Sequence, residues 1–190
     1  MEKSGTIMAD LRTRRTDISI QNAFVSLVLK KGFKNVTVID IATEAMINRQ
    51  TFYKHYQDKY QLAEKMMTDF TDKYDQLLKK RIELTQQHQD FMVIQSMFTQ
   101  EINQTLRTHS QLIRALKVIQ FDHISLDQSL KRVIAANLPL IMGHQPSKFE
   151  MALLTALILG IFDYVIAGQK LPEPEEVKAA IHDMLTLLGQ

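Results

Sequence analysis

Fourteen residues, INRQTFYKHYQDKY (47–60), gather an arginine, two glutamines, a threonine, three tyrosines, two lysines and a histidine. These are side chains that bind nucleic acid. Arg49 has the fork that bonds both guanine acceptors, Gln50 the amide that does the same for adenine, and Thr51 a methyl for thymine. Tyr53, Lys54, His55 and Lys59 suit phosphate oxygens, which fix register without reading sequence. Lys59 is expected in the first turn of a helix, where free N–H groups and the helix dipole add to its pull on a phosphate. A solvated helix face with tyrosines in the core would use the same residue types, and it is the ordered set that favours DNA. Elsewhere the only adjacent acid and imidazole is Asp122-His123. The chain has no cysteine, and with no repeated histidine spacing and no nucleophile motif we expect no metal, no cofactor and no catalytic residue. A helical enzyme using Asp122 and His123 ranks last among the readings.

Helices must position this set. Apolar residues at spacings of three and four, Ile20, Ala23, Phe24, Leu27 and Val28, predict a first helix over about 13–31, ended by Gly32. Residues 1–12 read as a short flexible leader in which no secretion signal is visible. Arg14 and Arg15 beside it suit the DNA backbone or minor groove, or simply solvent. Thr37 and Asp40 form a capping box that starts a second helix near residue 37. Asn48 caps a third helix over 49–56, and Asp58 with Gln61 caps a long fourth, to about 86. On the third helix Phe52 and Tyr56 fall on the inner side, while Gln50 and Lys54 point away. Two short helices, a tight turn and a polar outer face are the geometry of a helix-turn-helix that enters the major groove.

The run Thr37-x-x-x-Ile41-Ala42-x-x-Ala45, then Ile47, then Thr51-Phe52-Tyr53-x-His55-Tyr56-x-x-Lys59-x-x-Leu62, resembles the tetracycline-repressor (TetR/AcrR) family of bacterial transcriptional regulators over about residues 13–65. The resemblance implies an all-α chain: a three-helix helix-turn-helix DNA-binding domain over 13–57, and a helical domain over 58–190 that binds effector and dimerises. It implies base contacts from Arg49, Gln50 and Thr51, and phosphate contacts from Thr37, Tyr53, His55 and Lys59. One position departs from the pattern: Met46 stands in the turn where members commonly have glycine.

Charge distribution agrees with this division. Residues 1–60 hold ten basic and six acidic groups, whereas the remainder holds thirteen and fifteen. A basic N-terminal third is the footprint of a phosphate-binding module. Further helices are expected at about 88–107, 109–122, 125–143, 147–168 and 174–189. The apolar segment 151–167 has Asp163 as its only charge and is slightly short of a membrane span. Ala152, Ala156 and Gly160 form a small-residue strip on it, and Ile181, Met184, Leu185 and Leu188 recur at matching spacing on the last helix. We expect this pair to make a homodimer interface, with packing inside one chain as the alternative. A dimer reads a palindromic double-stranded operator. An unknown small-molecule effector is expected among helices four to eight, with Phe70, Phe91, Phe98 and Phe121 as candidate lining. Control by a protein partner, with no effector pocket, is the second reading. A cytoplasmic protein outside any membrane fits both.

Overall fold

A computed structural model describes residues 2–86, 91–168 and 170–189, with side chains described outside 2–10, 91–99 and 188. Among these residues the chain is built almost wholly of helices: α1 (Glu2–Lys31), a 3₁₀ turn (Phe33–Asn35), α2 (Val38–Glu44), α3 (Arg49–His55), α4 (Lys59–Gln86), α5 (Phe91–Thr108), α6 (Ser110–Lys117), α7 (Leu126–Met142), α8 (Lys148–Ile166) and α9 (Pro174–Leu188). The all-α class and the two-part arrangement hold. Phe91, Phe98 and Leu188 lie outside the described side chains.

Two boundaries differ from expectation. Residues 2–12 continue α1 and are not a separate leader. Glu2, Lys3, Met8, Ala9, Leu11 and Arg12 are good helix formers, and only Gly5 interrupts them. The helix expected over 109–122 ends at Lys117 and is followed by a two-stranded hairpin, β1 (Gln120–Phe121) and β2 (Ile124–Ser125), paired Gln120 to Ser125 and Phe121 to Ile124. Asp122 makes the turn at φ 49°. Aspartate is among the few residues that enter this left-handed region readily, and Ile119 and Phe121 favour extended backbone.

In the N-terminal part, Ile20, Phe24, Ile41 and Phe52 are fully buried. Gly32 leaves α1 at φ 77°, a conformation glycine adopts without a Cβ penalty. Phe33 folds back to meet Phe24 edge-on at 6.1 Å. The same core continues into the larger part, because α1 also packs on α6. There Ile113, Leu116 and Ile119 are fully buried. The hairpin adds Phe121, stacked on Phe33 at 5.6 Å and edge-on to Tyr60 at 5.2 Å. The helix-turn-helix is thus seated on the larger domain through α6 and the hairpin.

α4 is the spine of the larger part and packs chiefly on α7. Buried Asn137 ties the two, donating to Asp75 Oδ1 at 2.6 Å and to the Val133 carbonyl at 2.9 Å. α8 is long and apolar enough to cross a membrane by length and composition alone. One face of it is fixed to the bundle: Phe162 and Val165 are buried, Lys117 of α6 reaches Asp163 at 2.6 Å, and Arg114 donates to the Ile166 carbonyl.

Candidate nucleic-acid interface

Local hydrogen bonds set the two short helices. At the start of α2 the Thr37 hydroxyl accepts from Asp40 N at 3.2 Å and donates to Asp40 Oδ2 at 2.6 Å, while Thr37 N donates to the same oxygen at 2.8 Å. Lys31 pairs with that carboxylate at 2.7 Å. Lys31 first, then the Thr37 bonds, hold the Asp40 carboxyl at about 2, well below the usual aspartate value. α3 starts from Asn48, whose side chain accepts from Gln50 N at 2.8 Å.

The turn between them passes through Met46 at φ 54°, with its side chain 92% exposed. The left-handed conformation that glycine fills elsewhere is therefore kept, at a cost of about 1–2 kcal/mol for a residue with a Cβ. No packing inside the chain offsets it. Met46→Gly should remove this strain and, after the extra unfolded-state entropy of glycine, raise stability by up to about 1 kcal/mol, or about 2–4 °C in melting temperature for a chain of this size. A thermal unfolding scan checks the sign.

On α3, Phe52 is fully buried and Tyr56 nearly so, whereas Arg49, Gln50, Tyr53 and Lys54 are exposed and Thr51 is half-buried. Arg49 and Tyr53, four residues apart, are joined. The guanidinium donates to the phenol oxygen from Nε at 3.3 Å and Nη2 at 3.0 Å, and its carbon lies 5.4 Å from the ring centroid. This arrangement limits the freedom of Arg49 before any DNA arrives.

The residues expected on phosphates divide into two groups. Tyr53 and Lys54 face outward. Thr37 is exposed, but its hydroxyl is committed to the capping box. His55 turns toward α1, its side chain 14% exposed and Nδ1 3.7 Å from Asp17 Oδ1. Lys59 also turns inward: its ammonium donates to the carbonyls of Phe33 (3.0 Å), Lys34 (3.1 Å) and Val36 (2.8 Å) and lies 4.8 Å from the Phe33 ring centroid. All three of its N–H donors are used, so in this structure Lys59 caps the 3₁₀ turn. Burial, with Lys31 nearby, shifts its pKa down. Lys59→Ala should cost about 1–2 kcal/mol of stability, because three carbonyls lose a charged donor in a partly exposed site. Urea unfolding measures this. A pure phosphate ligand would leave stability unchanged.

A network absent from the sequence reading joins α3 to α1. The Tyr56 hydroxyl donates to Asp17 Oδ1 at 2.5 Å and accepts from Gln21 Nε2 at 3.3 Å, while Gln21 also donates to Asp17 Oδ2 at 3.0 Å. Burial, reinforced by the Asp17 contact, pushes the Tyr56 phenol up, keeping it a neutral donor. The four-residue spacing of Asp17 and Gln21 on one helix was the available signal.

In the larger part a cavity of about 370 Å³ opens between α1, α4, α5, α6, α7 and α8. Phe70 lines it and so does Gln21, which gives the cavity and the Tyr56 network one side chain in common. Phe121 is not in this wall but in the hairpin cluster on Phe33 and Tyr60. Asp122 and His123 form the exposed hairpin tip, and no cluster of metal-ligating side chains occurs among the described residues. Ala152, Ala156, Gly160, Met184 and Leu185 are all exposed, and Ile181 is half-buried. α8 and α9 leave an apolar groove of about 690 Å³ between them.

A basic helix-turn-helix braced by a helical domain defines a DNA-binding regulator. Residues 22–66 match the sequence model of a family described as bacterial regulatory proteins, tetR family. The chain is 22% identical over 158 residues to the transposon Tn10 TetC protein of Escherichia coli, covering 80% of this chain and 79% of that one. Its fold is shared with a TetR family transcription regulator from Marinobacter aquaeolei VT8 (TM-score 0.60, 17% identity, 91% of this chain and 95% of that one). It is also shared with Thermus thermophilus FadR, a TetR-family transcriptional repressor solved with lauroyl-CoA (TM-score 0.51, 17% identity, 89% and 93%). Residues 22–66 thus match the N-terminal domain of the tetR family, and the chain as a whole shares the fold of TetR-family regulators.

Proposed function

We propose that this regulator is a cytoplasmic, dimeric repressor that holds a palindromic operator through α3 and is released from it by a small molecule. The observation that carries the DNA-binding face is the exposure of Arg49, Gln50, Tyr53 and Lys54 on a helix anchored from behind by Phe52 and Tyr56. In this reading Arg49, Gln50 and Thr51 read bases, and Tyr53 and Lys54 hold phosphates. Thr37, whose hydroxyl and N–H are both committed to Asp40, acts by starting α2 and not on a phosphate. His55 and Lys59 act by positioning helices, although the family resemblance had put them on phosphates.

Arg49→Ala should cost about 1–3 kcal/mol on the operator and relax sequence preference. Lys54→Ala should weaken all duplexes alike and flatten the salt slope by about one. Anisotropy titrations on operator and scrambled duplexes at several salt concentrations separate the two. Equal behaviour of both variants would remove the division into base and phosphate contacts.

Two copies are needed because one short helix buries too little to select a site. The exposed strip on α8 and the apolar side of α9 suit a two-fold contact in which each surface meets its own copy. Release needs a ligand that binds two arrangements of the subunits unequally. Gln21 supplies a route, since a ligand that draws its amide into the cavity takes a bond from Tyr56 at the end of α3. The cavity, together with the acyl ligand of Thermus FadR, supports an effector over control by a protein partner.

A further inference from the structure

The walls of the cavity carry more chemical information than its size. Its body is apolar, from Met66, Phe70, Leu78, Ile158 and Phe162. The charged side chains on the same wall are Lys73, Arg81 and Asp69, with His109 beside them. Asp69 is paired with Lys65 one turn earlier, which leaves the lining with an excess of positive charge. Burial draws the Arg81 guanidinium partly out of water, and burial with Lys73 nearby keeps His109 toward its neutral form. A guanidinium has five N–H donors, so an existing partner leaves others for a ligand. Along α4 the lining runs from Met66 to Arg81, a span of roughly 22 Å at 1.5 Å per residue. Lys73 stands at the middle of this span and Arg81 at its end away from the DNA-binding domain.

We propose that this cavity takes an amphipathic anion, a long-chain carboxylate whose head lies among Lys73, Arg81 and His109 and whose chain follows α4 toward Met66 and Gln21. A carboxylate meets charge-assisted donors at one end and apolar wall along its length. A neutral head forfeits those donors, and a cationic head meets like charge. This deepens the effector reading and rests on the cavity being the effector site.

The test is calorimetric titration of the full-length protein with dodecanoate and dodecyltrimethylammonium below their micelle concentrations and with dodecanol below its solubility limit. Dodecanoate should bind saturably and about tenfold or more tighter than dodecanol, and the cation should not bind. Lys73→Gln and Arg81→Gln should each remove several-fold of the carboxylate's advantage and leave dodecanol unchanged. Lys73 is exposed, so its variant should remain informative even if Arg81→Gln unfolds. Equal or tighter binding of the alcohol or the cation, no binding of dodecanoate, or an advantage that survives Lys73→Gln in full would overturn the proposal. Anisotropy on DNA with and without dodecanoate is read separately. Saturable binding that leaves DNA affinity unchanged supports the ligand class and removes the release mechanism.

Discussion

Phe52→Ala should destabilise the protein by about 3–5 kcal/mol, the range for deleting a large buried aromatic and leaving its cavity. Phe52 is fully buried, with the Tyr53 ring edge-on at 5.7 Å and the Tyr56 ring at 5.9 Å. Total stabilities of about 5–15 kcal/mol make this a large fraction. α3 has only seven residues, too few to persist as a helix without tertiary packing. Loss of the anchor therefore removes the DNA-reading surface along with the stability. Gln50→Ala, on the exposed side of the same helix, should change stability by no more than about 0.5 kcal/mol while altering sequence preference. Urea unfolding of the two variants, paired with DNA binding, checks the contrast. Similar unfolding midpoints would mean that Phe52 is not the anchor.

Gly160→Leu should separate the proposed dimer without harming the subunit. A Cβ added at Gly160 has nothing within 4 Å in its own chain, and the residue lies inside α8, where leucine is the better helix former by about 0.8 kcal/mol. The isolated subunit should be unchanged or slightly stabilised. If a second copy approaches along Ala152, Ala156 and Gly160, the new side chain overpacks the contact. That costs about 1–3 kcal/mol, counted twice across a two-fold axis. The dimer dissociation constant should rise about thirtyfold or more. Sedimentation velocity over a range of concentrations reads this directly. An unchanged dimer would place the interface elsewhere, and a lower melting temperature of the dissociated subunit would mean the strip packs within one chain.

Much of the helix-turn-helix was legible because its determinants are local. The Thr37 and Asp40 box, the Asn48 cap, the Gly32 stop and the buried pair Phe52 and Tyr56 each depend on residues two to four positions apart. At Met46 only the family resemblance, in which glycine commonly fills the turn, raised the question of a left-handed residue, and the structure keeps that conformation at φ 54°. Lys59 was not legible. Its partners are carbonyls of Phe33, Lys34 and Val36, which only the folded chain brings to the start of α4. His55 likewise depends on Asp17 across the domain. Phe121 was expected on a helix over 109–122 as lining of the effector pocket. The turn at Asp122 instead sends it to the junction between the two parts, where it packs on Phe33 and Tyr60.

In the proposed function α3 presents a sequence-reading surface to duplex DNA. The most direct test is fluorescence anisotropy of the purified protein on the DNA upstream of its own gene, beside a scrambled duplex, at two salt concentrations. Binding should prefer the native duplex and weaken steeply with salt as counterions return to the phosphates. Equal, weak, salt-insensitive binding to both duplexes would contradict this reading.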